Sequence, residues 1–141
     1  MMYLLDTDVF TLAHRETHGL RPRIVNARNS QDVSLPIVTR VEVLRGRVEA
    51  VLKAADGPGL ARAQERLHSS EAYLSEFSIV PFDDAAIQLF ERLRQNKRLR
   101  KIGHADLLIA CIALAHDATL VTRNTKDFVG IPGLQVEHGA N

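Results

Sequence analysis

Residues 103–124 read GHADLLIACIALAHDATLVTRN, and the way this stretch divides decides the fold class. GHADLLIACIALAHD is apolar almost all round, as in a helix packed on several sides. ATLVTRN follows at once and reads as a strand that ends in polar residues. A buried helix running straight into a strand suits a layered α/β architecture.

The same alternation extends on both sides. Toward the C-terminus, Ile131-Pro132-Gly133 makes a loop and LQVE a final short strand. Toward the N-terminus, Asp83 is a natural N-cap for a helix over AAIQLFERL, and FSIVPF before it reads as a strand. LARAQERLHSSEAYLSEF is helical, with Leu60, Ala63, Leu67, Leu74 and Phe77 on an inward face. Gly57-Pro58 separates it from a long helical pattern that runs from Thr39 through VEVLRGRVEAVLKAA, with apolar positions at Val41, Leu44, Val48, Val51 and Leu52. A strand around DVSLPI leads into that helix, with Pro36 at its exit. At the start, Tyr3 to Leu5 form a short apolar strand that stops at Asp6, and Thr7 to Arg15 a short helix. Strands alternating with helices predict a mostly parallel sheet. No repeat, low-complexity tract or linker interrupts the pattern, so residues 1–141 are expected to form a single domain.

With 45% hydrophobic and 25% charged residues, the composition is that of a globular protein and not of a disordered segment. No apolar run approaches the roughly 20 residues of a membrane span. The start MMYLLDTD lacks the basic flank and cleavage site of a signal peptide, so the cytoplasm is the expected location. Cys111, the only cysteine, lies within LLIACIALA and reads as a buried, inert thiol. The net charge of +1 decides nothing about partners. Its distribution says more: Arg92, Arg94, Lys97, Arg98, Arg100 and Lys101 crowd one segment, and 14 of the 18 basic residues are arginine, whose planar fork suits phosphate oxygens.

Each acid taken singly has an ordinary structural explanation. Asp6 and Asp8 would serve as N-terminal caps for the first helix. Thr39 and Glu42 spell T-x-x-E, a capping box. Asp106 sits in a first helical turn, where the helix dipole favours negative charge, with His104 as its nearest candidate partner. Asn124 and Asp127 belong to a good turn composition. Asp83 and Asp84 are read as caps. His14, His18, His68, His116, His138 and Cys111 lack the spacing of a zinc site. The combination carries more weight. Asp6, Glu42, Asp106 and the Asn124/Asp127 loop each fall at a strand exit or helix start, where ligands of open α/β sheets gather. If the sheet brings these ends together, the like charges repel unless a cation lies among them, and hard oxygen donors select Mg²⁺ or Mn²⁺.

The segments LLDTDV, TRVEVLRG, GHADLLIA and LVTRNTKDF, in this order from Tyr3 to Glu137, resemble the PIN-domain family, and most closely its VapC-type ribonuclease toxins. The resemblance implies a three-layer α/β/α sandwich with a short, mostly parallel central sheet. It also implies Mg²⁺-dependent (or Mn²⁺-dependent) endoribonuclease activity, as the toxin of a type II toxin–antitoxin system, with an RNA substrate, a cognate antitoxin partner and assembly as a homodimer. Asp6, Glu42 and Asp106 match the family's acidic metal-binding positions. The resemblance makes Asp6 and Asp106 direct ligands and Glu42 a ligand or water-orienting base. The fourth position, often aspartate in the family, is Asn124 here, with Asp127 placed to make up the missing charge. Thr122 and Thr7 match supporting polar positions. Arg40, Arg45, Arg98, Arg100 and Lys101 are candidates for holding substrate phosphates in a salt-dependent way.

Two other readings fit parts of the sequence. LLDTDVFT also matches an apolar strand followed by D-x-D, as in haloacid-dehalogenase-type phosphatases, with Asp6 as nucleophile and Asp8 as general acid. Phe10, and the lack of a downstream acid pair at a strand end, speak against it. The missing acid at Asn124 leaves room for a non-catalytic module that binds RNA or protein.

Overall fold

The computed structural model describes residues 1–16 and 19–139, so His18 lies outside the described residues. The strands are β1 (Met2–Leu5), β2 (Asp32–Pro36), β3 (Ile79–Val80), β4 (Thr119–Thr122) and β5 (Gln135–His138). The helices are α1 (Thr7–His14), α2 (Leu20–Arg28), α3 (Ile37–Lys53), α4 (Gly57–Leu74), α5 (Asp84–Leu93) and α6 (His104–Ala115), with 3₁₀ turns at Lys97–Leu99 and Thr125–Phe128.

The sheet order is β3-β2-β1-β4-β5, and every pairing is parallel. β1 lies at the centre, which explains why its sequence is a continuous apolar run: neighbouring side chains point to opposite faces and both faces are covered. Leu4 and Leu5 are both buried, and each enters a different core. Leu4 and Leu120 pack with α5 and α6, whereas Leu5, Val33 and Leu35 pack with α1, α2, α3 and α4. α6 is apolar all round because Leu107 and the run Ile109–Ala113 are all buried. Burial pushes the Cys111 thiol up to about 11, so it stays protonated and unreactive. This is the expected α/β sandwich with a parallel sheet.

The strand order has a consequence for function. The chain steps outward from β1 through β2 to β3, then returns to place β4 on the other side of β1. The switch point of the sheet therefore falls beyond the carboxyl ends of β1 and β4, the place where open α/β sheets gather ligands.

Several local expectations give way. α3 begins at Ile37 and its N-cap is Pro36, so Thr39 is not a cap. Thr39 is fully buried and its hydroxyl donates to the Leu5 carbonyl at 3.0 Å, fastening α3 to the end of β1. Gly57 and Pro58 do not form a turn between helices. They are the first turn of α4, capped by the Asp56 side chain at 2.7 Å from the Gly59 amide. α2 was not anticipated: LRPRIVNAR buries only Leu20 and Ile24 and carries a proline in its first turn, a position helices tolerate. Of the apolar positions expected inside, Val41, Val48 and Leu52 are exposed, because α3 uses Val38, Thr39 and Val43 as its buried side, and Leu60 of α4 is exposed as well. The strand in FSIVPF is limited to Ile79–Val80.

Candidate active site

Asp6 is the first residue beyond β1 and the N-cap of α1, and its Oδ1 accepts the Val9 amide at 2.9 Å. Capping and site roles thus fall on one buried residue. The Asp6 amide donates to the Val121 carbonyl at 3.1 Å, so the exits of β1 and β4 are held side by side. Thr122, the last residue of β4, is fully buried and its hydroxyl bonds to the Asp6 carboxylate. The same Thr122 oxygen accepts the Asn124 amide at 3.1 Å, which sets the start of the following loop.

Glu42 projects from the second turn of α3 and accepts the Thr7 hydroxyl at 2.5 Å. It satisfies no backbone amide at the start of its own helix, so the capping-box reading of Thr39 and Glu42 fails on both members. The strand exit of β2, with Pro36 at its end, starts α3 early and carries Glu42 inward. Asp106 lies in the first turn of α6 behind Gly103, where a side chain would begin 3.9 Å from Asp106 Oδ2. Among the described residues no side-chain hydrogen bond or ion pair reaches Asp106. His104, its candidate partner by sequence, sets its ring edge to face against Phe90 with centroids 5.7 Å apart.

The charges define the site more closely than any single bond. Burial raises the Asp6 carboxyl to about 6, with the charges of Asp8 and Asp106 adding to it and the Thr122 and Val9 hydrogen bonds opposing. Asp106 is pushed above the usual carboxylate range by burial, then by the negative charges of Asp127 and Glu42. Asp106 is therefore the hub: it acts on Asp6 and is acted on by Glu42 and Asp127. Asn124 is exposed at the head of the 3₁₀ turn, and its carbonyl accepts the Asp127 amide at 3.0 Å. Phe128, fully buried, anchors that turn and keeps Asp127 near Asp106.

The donor set is carboxylate oxygen throughout, which fits Mg²⁺ or Mn²⁺ and not zinc. Among the described residues no three acidic, histidine or cysteine side chains close on one point at ligand distance. The Glu42 carboxylate is held by the Thr7 hydroxyl. The residues present fit a divalent ion by chemistry and by their unneutralised charge.

The basic candidates are dispersed. Arg45 is exposed one turn beyond Glu42, while Arg40, exposed in the first turn of α3, lines a separate hollow with Leu74 and Phe77. Arg98, Arg100 and Lys101 are exposed on the segment that leads into α6. Sequence reasoning passed over Arg123, which follows Thr122 and approaches Asp8 at 3.9 Å. Its position just past a strand exit was the available signal. Asp8 is exposed and faces this arginine.

Comparison with known proteins agrees with this arrangement. The PIN domain family model matches residues 3–133. Ribonuclease VapC2 of Rickettsia felis is 27% identical over 144 aligned residues, covering 98% of each chain. Toxin FitB of Neisseria gonorrhoeae is 31% identical over 136 residues, covering 90% of this chain and 91% of its own. The solved structure of VapBC2 from Rickettsia felis bound to a promoter DNA fragment superposes with a TM-score of 0.79 at 26% identity, covering 98% of both chains. FitAcB from Neisseria gonorrhoeae superposes with a TM-score of 0.67 at 28% identity, again over 98% of both. From the apolar strand that delivers Asp6 to the turn that holds Asp127, the chain belongs to the PIN-domain family.

Proposed function

We propose that this chain is a metal-dependent endoribonuclease, the toxin of a toxin–antitoxin pair, which hydrolyses RNA phosphodiester bonds with activated water. The observation that carries the reading is that the acids beyond the carboxyl ends of β1 and β4 share one neighbourhood, close enough that Asp106 acts on Asp6 and that Asp127 and Glu42 act on Asp106. The relatives named as ribonuclease and toxin over nearly the whole chain support the activity.

Asp6 and Asp106 would hold the ion, with Glu42 as a further ligand or as the base that orients water. The chemistry Mg²⁺ or Mn²⁺ supplies in such a cluster is a lowered pKa for water and compensation of phosphodiester charge. No side-chain nucleophile is required. Thr7 fixes the Glu42 carboxylate, and Thr122 fixes that of Asp6. Asp127 supplies the charge that Asn124 lacks.

The partners are a cognate antitoxin and a second copy of the chain, in keeping with the VapBC and FitAcB assemblies of the structural relatives. Val48, Leu52 and Leu60, exposed on α3 and α4, offer apolar surface for such contacts. Among the described residues no helix is long and apolar enough to cross a membrane. We place the protein in the cytoplasm, where its RNA substrate resides.

The test is cleavage of single-stranded and structured RNA by the wild type with Mg²⁺, by the wild type with EDTA, and by Asp6→Asn with Mg²⁺. Cleavage is expected in the first arm alone, with the substitution costing roughly 10²-fold or more. Equal outcomes in all three arms would leave a binding module.

A further inference from the structure

A second site lies at the other end of α1. His14, Arg15, Arg47, Arg66 and Ser69 enclose a hollow of about 330 Å³ between α1, α3 and α4, and no acid lines it. We infer that this hollow binds a backbone phosphate of the RNA at a distance from the scissile bond.

The guanidinium groups stand together without counterions. Glu16, next to Arg15, pairs with Arg21 at 3.1 Å, and among the described residues Arg15, Arg47 and Arg66 make no ion pair. Arg15 is not spent on capping α1 with its side chain, because Arg21 takes the Ala13 and His14 carbonyls at 3.2 and 2.9 Å. Arg47 donates through Nε to Ser70 Oγ at 3.0 Å, and Ser70 is fully buried, so the guanidinium is held in place. His14 is positioned as firmly: Nε2 lies 3.0 Å from Ser69 Oγ, and the ring stacks on Tyr73 at 5.1 Å. Burial and the charges of Arg15 and Arg66 push the Arg47 guanidinium below its usual range, and burial with Arg21, Arg47 and Arg15, opposed by Glu76, does the same to His14. A set of like charges fixed in a concavity is relieved by an anion, and the arginine fork pairs bidentately with phosphate oxygens.

The position selects the occupant. α1 begins beside Asp6 and ends at His14, a path of roughly 12 Å at the helical rise, so a strand cleaved at the acids reaches the hollow within a few nucleotides. The inference rests on the ribonuclease reading for its choice of RNA.

Binding of fluorescent single-stranded RNA in EDTA at several salt concentrations tests it. The proteins are the wild type, Arg66→Gln, Arg15→Gln and, as a control elsewhere on α4, Arg62→Gln, with circular dichroism to confirm folding. Arg66→Gln and Arg15→Gln are expected to bind severalfold more weakly, with a salt slope shallower by roughly 0.7 if one phosphate contact is lost. With Mg²⁺ present, KM should rise while kcat holds. Affinity and slope equal to wild type, or losses matched by Arg62→Gln, overturn the inference. Protection of the wild type by inorganic phosphate, with RNA binding of the variants intact, assigns the hollow to a free anion and overturns it as well. The two readings fail separately. A wild type that binds RNA through these arginines but never cleaves with Mg²⁺ or Mn²⁺ loses the ribonuclease reading alone, and a cleaving wild type with indifferent variants loses the phosphate site alone.

Discussion

Asp6 is under two opposed demands. Its cap hydrogen bond and the Thr122 hydroxyl favour the ionised carboxylate, while burial and the neighbouring acids favour the protonated one, and the balance lies at about 6. An acid whose folded-state pKa is raised holds its proton more tightly in the native state, so its contribution favours folding at low pH and is lost as pH rises from about 4 to 6. In EDTA, Asp6→Asn should therefore be more stable than wild type at pH 7 by roughly 3 kcal/mol, since the amide keeps the cap and carries no charge. The gain should vanish near pH 4, as read by urea denaturation at both pH values. Thr7 tests the orientation of Glu42. Thr7→Val removes the donor to Oε1 and should lower kcat severalfold while changing stability by about 1 kcal/mol or less, measured by steady-state cleavage and thermal melting. The acids themselves were legible as candidates, but T-x-x-E pointed to a helix cap, because spacing along a chain cannot tell a glutamate that reaches its own backbone from one that meets Thr7 of another helix.

At the level of the elements, the chain just past β5 is closely fitted. The Gly139 amide donates to the Thr122 carbonyl at 2.9 Å, and its carbonyl accepts from Arg23 of α2 at 3.3 Å. A Cβ at Gly139 would stand 2.6 Å from Val9 Cγ2 and 3.2 Å from Val121 Cγ1. Gly139→Ala should therefore destabilise the fold by about 1–3 kcal/mol through overpacking, and chemical denaturation measures it. The strands and the all-apolar α6 were readable because burial on both sides leaves a continuous apolar signature. α2 was not, because a helix that buries only Leu20 and Ile24 has almost no periodic pattern to find. The apolar positions of α3 misled for the opposite reason: Val41, Val48 and Leu52 repeat at helical spacing on a face that the chain leaves open.

For the molecule as a whole, folding brings acids from the end of β1, from α3, from α6 and from the last 3₁₀ turn into one region, and an ion held there would stabilise the native state. Mg²⁺ should raise the melting temperature of the wild type in proportion to its saturation of the site and leave Asp6→Asn nearly unmoved, as followed by scanning calorimetry across a magnesium titration. No magnesium effect on the wild type would remove the ion from the account. The sequence by itself determined the alternation of strands and helices, the placing of acids at their ends and the purely oxygen chemistry of the donors, because these are consequences of local burial periodicity and residue type. Only the tertiary structure decided that β1 and β4 are neighbours, that Asp106 is the hub, and that Arg15, Arg47 and Arg66 share a hollow. Those facts depend on how the chain crosses the sheet, and distant segments are brought together by packing that no short stretch encodes.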